Sequence, residues 1–239
     1  MSSKTVPKKV LILLAAGVGK RMGKSQPKML LEILGKPLLY WSLKVLEETT
    51  ILDRVVVVAP KAYLTIFKRL IHSWGFKKVF KIVKGGKERK DSSRNALNVL
   101  PKDCEWVGIH DGARPFVSSA LIEKCFKAAF KNGATILAIP AQDTIKMVQE
   151  NLQIKRTIPR DRAWLAQTPQ VFKRDLLEEM HSMNHPQFQT NRSRYTDDAS
   201  LAESLGYKVQ IVPGSYENIK ITTPKDLILA EAILKEKNV

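Results

Sequence analysis

The sequence predicts an α/β protein, a Rossmann-like and mostly parallel sheet with helices on both faces and a β-hairpin projecting from the body. Three observations predict it. Short continuous apolar runs, VLILL at Val10 to Leu14 and VVVV at Val55 to Val58, lack polar alternation and so read as strands covered on both faces. Segments of helical spacing alternate with such runs from Pro37 to Ile139. The first run breaks into AAGVGKRMGKSQPK, a glycine-rich stretch at the strand end where open α/β sheets place their ligands.

After Val10–Leu14 the spacing predicts a helix over Pro37–Glu48, a strand over Arg54–Ala59 and a helix over Lys61–Ser73. The rhythm continues with a strand at Val79–Val83 and a helix from Lys90 to Leu100. Next come a strand at Trp106–His110, a helix at Ser118–Lys131 and a strand at Ala134–Ile139. From Gln142 to Arg162 it breaks: TIKMVQ and LQIKRTI alternate around Glu150 and Asn151, which reads as a hairpin. A hairpin of that size cannot bury its apolar face alone, so it is expected to pack against a second subunit. Asn184 to Tyr195 reads as a polar loop. The acids after Thr196 open a helix that Gly206 ends. Tyr207–Val212 and Asn218–Thr222 are expected as strands, the latter with Asn218 and Lys220 on one face and Glu217 and Ile219 on the other. Thr223, Pro224 and Asp226 form a capping box for a last helix. With 239 residues, 44% of them hydrophobic, one domain over 1–239 is expected, with 142–162 as its arm.

The glycine stretch reads as a polyphosphate site. Ala15, Ala16, Gly17 and Gly19 let backbone N–H groups approach phosphate oxygens, and Lys20, Arg21, Lys24 and Lys28 supply charge. Two familiar motifs fail here. G-x-G-x-x-G needs a glycine where Met22 stands, and G-x-x-x-x-G-K-[ST] needs one at Val18. Taken alone, a glycine-rich turn with solvated lysines explains the stretch equally well.

Forty Lys and Arg against 23 Asp and Glu give a net charge of +17, which attracts anionic metabolites or nucleic acid. No zinc-finger spacing, helix-turn-helix or aromatic-interleaved RNA motif accompanies it, which argues against specific nucleic-acid recognition. Cys104 and Cys125 lie in apolar surroundings without C-x-x-C spacing; neither a disulfide framework nor a zinc site is expected, and a reducing cytoplasm is. No apolar run approaches membrane-spanning length.

Asp111 ends the strand WVGIH and precedes Gly112, Ala113 and Arg114. A carboxylate there suits Mg²⁺, which takes one or two carboxylates plus substrate phosphates, and a guanidinium three residues on can hold a phosphate bidentately. An Asp that merely caps a turn is the plainer alternative. Gly85, Gly86 and Ser92 suit close approach of a nucleotide to a helix start.

Together these segments resemble the 2-C-methyl-D-erythritol 4-phosphate cytidylyltransferases of non-mevalonate isoprenoid biosynthesis. The matching pieces include AAGVGKRM at 15–22, PK at 27–28, GGKERKDS at 85–92, HDGARPFV at 110–117 and DT at 143–144. TIPRDRAW at 157–164, QTPQ at 167–170, TDDAS at 196–200 and NIKITTPKDL at 218–227 complete the family order over nearly the whole chain. The resemblance assigns Ala15, Ala16, Gly17, Gly86, Ser92 and Gly112 to the cytidine nucleotide. It makes Arg21, Lys28 and Lys220 catalytic, and Asp111 and Glu217 the acids on the side of a Mg²⁺ cofactor. It gives Arg114, Thr144, Arg160 and Thr168 to the polyol phosphate, with Thr144 and Arg160 on a homodimerisation arm. Met29, where a glutamine is usual, and Lys87, where an acid is common, depart from the pattern. The implied reaction joins CTP and the sugar-alcohol phosphate into a CDP-polyol and pyrophosphate. Ribitol-5-phosphate cytidylyltransferases share HDxxRPF, QTPQ and NIKITTP, and AAG with TDDAS favours the methylerythritol enzyme. A P-loop NTPase and a basic nucleic-acid-binding protein are the readings from other classes.

Overall fold

The computed structural model of the chain describes residues 9–17, 26–182 and 195–237. Its first half follows the expected rhythm. Strand β1 (Lys9–Leu14) leads through a 3-10 turn at Lys28–Leu30 and a small ribbon, β2 (Glu32–Ile33) with β3 (Lys36–Pro37), into helix α1 (Leu38–Glu48). Then come β4 (Arg54–Ala59), α2 (Leu64–Trp74), β5 (Val79–Lys84), α3 (Arg89–Leu97), β6 (Trp106–Asp111), α4 (Ser119–Asn132) and β7 (Ala134–Pro140). The hairpin is present as β8 (Lys146–Val148) and β9 (Ile154–Thr157). Strand β10 (Trp164–Lys173), α5 (Arg174–Met180), α6 (Asp198–Ser204), β11 (Gln210–Pro213) and α7 (Pro224–Glu236) complete the described elements.

Seven strands form one sheet in the order β11-β7-β10-β6-β1-β4-β5. β10 runs antiparallel to both its neighbours, and every other pairing is parallel. The continuous apolar runs do what their composition requires. Leu11 and Leu13 of β1 point to one face, into a core shared with α1, α2, α4 and α7; Val10 and Ile12 point to the other, against α3, α5 and α6. Each such side chain taken out of water contributes about 1.5–3 kcal/mol, so the two faces of β1 anchor both layers of helices.

The structure departs from the sequence reading in two places. Strand β10 and helix α5 are absent from the sequence reading, because Gln167, Thr168, Pro169 and Gln170 argue against a central strand. The structure accommodates the proline at a register shift between Ala166 and Gln170, and buries the polar side chains with hydrogen-bond partners. Asn218–Thr222 is not a strand: a turn at Ser215–Asn218 is followed by a local bond from Ile219 N–H to the Glu217 carbonyl, 2.7 Å, and a bond from Ile221 N–H to the Ala113 carbonyl, 2.8 Å. Its alternation of faces disappears too, since Asn218 is fully buried while the Lys220 and Glu217 side chains are both exposed. The polar loop expected from Asn184 falls almost wholly outside the described residues.

The segment carrying Lys220 is held by the cap of α7. Asp226 Oδ2 accepts from Thr222 N and Thr223 N, each at 2.7 Å, and from the Thr222 hydroxyl at 3.0 Å. Burial alone would raise the Asp226 pKa, but these donors outweigh it and hold it below the ordinary value. Asp226→Ala should therefore cost about 1 kcal/mol of stability near neutrality, read by urea unfolding. A carboxylate whose pKa is lowered by folding stabilises above its unfolded value of about 4 and loses that contribution as pH falls through the folded value. The gap between wild type and variant should accordingly narrow on acidification below that point.

Candidate active site

β1 connects outward to β4 on one side while β6 lies on its other side, so the crevice beyond their carboxyl ends is the switch point of the sheet. A cavity of about 340 Å³ opens there. Ala15, Ala16 and Gly17 floor it from the end of β1, and Gly86 and Ser92 wall it from the start of α3. The walls touch closely: a Cβ on Gly85 would stand 2.4 Å from the Ala16 Cβ, and one on Gly86 2.1 Å from the Asp91 Cβ. A Cβ on Gly17 would meet nothing within 4 Å among the described residues. Glu88 and Asp91 form the capping box of α3, and the Ser92 hydroxyl accepts from Gly86 N–H at 3.0 Å.

Three charges meet at the far wall. The Asp111 carboxylate, 14% exposed, takes Lys220 Nζ on Oδ2 at 2.6 Å and Arg89 Nε near Oδ1 at 3.6 Å. Burial would raise its pKa, but Arg89 and Lys220 outweigh burial and hold it far below the usual carboxylate range. Arg89 shows the reverse balance, with Asp198 and Asp111 overcoming burial and holding its pKa above the ordinary value. Lys28 lines the same cavity and donates to the Ile221 carbonyl at 2.7 Å.

Beneath this charged surface lies a neutral hydrogen-bonded hub. The Asp111 N–H donates to Thr168 Oγ1 at 3.0 Å. The Arg114 carbonyl can only accept, so His110 Nε2–H donates to it at 3.0 Å, and the Nδ1 of the neutral ring takes the Thr168 hydroxyl hydrogen at 2.9 Å. Burial lowers the His110 pKa to about 4, in keeping with a neutral ring. Asn218 Nδ2 donates to the Thr168 carbonyl at 3.1 Å, and Arg114 Nη1 to the Asn218 carbonyl at 2.7 Å. The hub thus ties the end of β6, the middle of β10 and the turn before Lys220 into one unit.

Of the residues singled out from sequence, the structure brings Ala15, Ala16, Gly17, Lys28, Gly86, Ser92, Asp111 and Lys220 around the cavity. Gly112 sits just behind, where a Cβ would stand 2.9 Å from the Met29 Cε and 3.1 Å from the Leu14 carbonyl. Met29 is 2% exposed, fills the space under Gly112 and also lines the cavity, so the departure there changes both packing and lining. Lys87 lies on the cavity wall. Thr168, 4% exposed, spends its hydroxyl on the hub, and the Arg114 guanidinium bonds the Asn218 and Ala166 carbonyls. Glu217 stands apart with its side chain 61% exposed and paired to Lys237 at 2.8 Å. Thr144 and Arg160 are exposed on the hairpin side of the molecule, Arg160 Nη1 donating to the Gln142 carbonyl at 3.3 Å. Arg21 lies outside the described residues. Sequence reasoning missed Arg89, which opens α3 among other charged residues and has no local pattern that marks it as the contact of Asp111.

No group of three or more His, Cys, Asp or Glu side chains that could hold a metal ion occurs among the described residues. The donor set still fits a hard cation. Asp111 is an ionised carboxylate on the cavity wall, and it would be the protein's ligand to a hard divalent cation of the kind that takes one or two carboxylates plus phosphates.

The family model IspD, 2-C-methyl-D-erythritol 4-phosphate cytidylyltransferase, matches residues 9–236. A relative of that description from Alkaliphilus oremlandii is 42% identical over 233 residues, 97% of each chain, and one from Syntrophus aciditrophicus is 43% identical over 97% of each. The crystal structure of 4-diphosphocytidyl-2C-methyl-D-erythritol synthase from Anaerococcus prevotii superposes with a TM-score of 0.82 at 31% identity, covering 95% of this chain and 98% of that one. With the family model, the relatives and the fold in agreement over nearly its full length, the chain belongs to the 2-C-methyl-D-erythritol 4-phosphate cytidylyltransferase family.

Proposed function

We propose that the chain transfers the cytidylyl group of CTP to 2-C-methyl-D-erythritol 4-phosphate, releasing pyrophosphate, in the switch-point cavity. The observation that carries this reading is the meeting of a glycine-lined strand end, the start of α3, Lys28, Asp111 and Lys220 around one space. The attacking group is already an anionic phosphate oxygen, so the protein supplies alignment and charge rather than a general base. Ala15, Ala16, Gly17, Gly86 and Ser92 would take the nucleotide, with Gly112 keeping the loop close. Lys28, Lys220 and Arg21 would meet the charge on the transferring and leaving phosphates. Mg²⁺, held by Asp111, would offset charge on the nucleotide phosphates. Glu217 would join it only by leaving Lys237.

The acceptor would be held by Arg114 and by the hairpin, with Thr168 acting from beneath. Met147, Val148, Leu152 and Ile154 of the hairpin are exposed, as are Trp164 and Leu165 beside it. Such a strip supports the reading of 142–162 as a homodimerisation arm on a single catalytic domain. It would bring Thr144 and Arg160 to the partner subunit's acceptor. No helix among the described residues is long and apolar enough to cross a membrane, and both cysteines are free and buried, in keeping with a cytoplasmic enzyme.

Pyrophosphate release from CTP tests the reading, with methylerythritol phosphate, ribitol phosphate and no acceptor run side by side. Release should require methylerythritol phosphate; a preference for ribitol phosphate would move the chain to the sister activity. Lys28→Ala should remain folded and lose about 10²-fold in kcat, by analogy with removing one preorganised donor. Turnover near wild type at saturating CTP and Mg²⁺ would refute its role.

The shared site has its own measurement. Inactive Lys28→Ala and Arg160→Ala chains, mixed under subunit exchange, should regain activity, because one of the two composite sites in each heterodimer is then intact. Proven heterodimers without activity would put Arg160 in its own subunit's site or outside the chemistry.

A further inference from the structure

The arginine that reaches Asp111 is gripped from its other end by a buried ionic cluster to which the reaction assigns no part. Asp198, at the first turn of α6, is 2% exposed; its Oδ2 binds Arg89 Nη1 and its Oδ1 pairs with His181 Nε2 at 2.9 Å. Burial would raise the Asp198 pKa, yet Arg89 and His181 outweigh it and bring it down to about 2, so the group is ionised at working pH. Gln170 of β10 fixes the helix start. Its Oε1 accepts from Asp198 N–H at 3.1 Å and Ala199 N–H at 3.0 Å, and its amide donates to Asp197 Oδ2 at 2.7 Å.

One planar guanidinium therefore spans two carboxylates, with Nη1 on Asp198 and Nε toward Asp111. Because the fork is rigid, the edge held by Asp198 dictates where the other edge points. We propose that Asp198 is a positioning residue for the transfer, acting through Arg89 to fix the Asp111 carboxylate against Lys220. The proposal rests on placing the reaction in the Asp111 cavity. Without Asp198 the guanidinium loses its nearest carboxylate and is free to close on Asp111, where it competes with Lys220 for the oxygens that the substrates and cation need.

A double-mutant cycle on the full-length chain tests this, with kcat/KM for CTP and the melting temperature as separate readouts. Asp198→Asn alone should lower kcat/KM about tenfold while the protein still unfolds cooperatively. In an Asp111→Asn background the same change should cost less than about twofold in kcat/KM, yet lower Tm as much as it does in wild type. Equal activity losses in both backgrounds would make Asp198 purely structural and overturn the proposal. Full activity of Asp111→Asn by itself would instead overturn the placement of the reaction. If Asp198→Asn does not fold, Arg89→Lys carries the test. A lysine keeps one ion pair with Asp198 but cannot span to Asp111, so about a tenfold loss at unchanged Tm is expected. Unchanged kcat/KM in that variant would overturn the proposal.

Discussion

The register that brings Asp111 to Lys220 depends on the Thr168 hydroxyl, which accepts from the backbone of Asp111 and donates to a neutral imidazole. A buried hydroxyl without partners costs roughly 1–3 kcal/mol, and here both of its bonds are made to residues 58 and 57 positions away in sequence. The bonds of His110 to the Arg114 carbonyl and of Asn218 to the Thr168 carbonyl extend the same constraint to the segments before and after. Three stretches of chain with no local reason to meet are thereby held in register. The ion pair between Lys220 and Asp111 is the outcome of that register.

The charges above the hub follow a different logic. A carboxylate sunk beside two cations stays ionised because each partner offsets the cost of burying the others. The arrangement keeps Asp111 as an anion amid residues that otherwise suit anionic ligands, and keeps Lys220 at the cavity wall when no substrate holds it. The net charge of +17 adds a long-range attraction for phosphorylated substrates, whereas selectivity rests on the few groups placed by the hub.

Most of the fold was legible because buried parallel strands leave a continuous apolar signature, and Val10–Leu14 and Arg54–Ala59 carry it plainly. β10 was hidden for the opposite reason: its middle is Gln-Thr-Pro-Gln, and a polar strand with a proline reveals itself only through partners far away in sequence. Around the cavity, the glycines and Asp111 were readable because each follows a strand end. Arg89 was not, since its role depends on Asp198, 109 residues later in sequence. The misreading of 218–222 as a strand has the same origin, because alternation of residue types says nothing about whether a sheet edge is there to receive them.

The antiparallel insertion of β10 also bears on how the protein is made. As the chain leaves the ribosome, β1, β4, β5 and β6 can assemble with their own crossover helices, yet the outer side of β6 stays unpaired until β10 has been synthesised, after α4, β7 and the hairpin. A parallel sheet with a long apolar open edge is a template for pairing with other chains. Between the synthesis of β6 and that of β10 the nascent chain therefore carries an additional unpaired edge, and the strand that closes it is the one that brings Thr168 to Asp111.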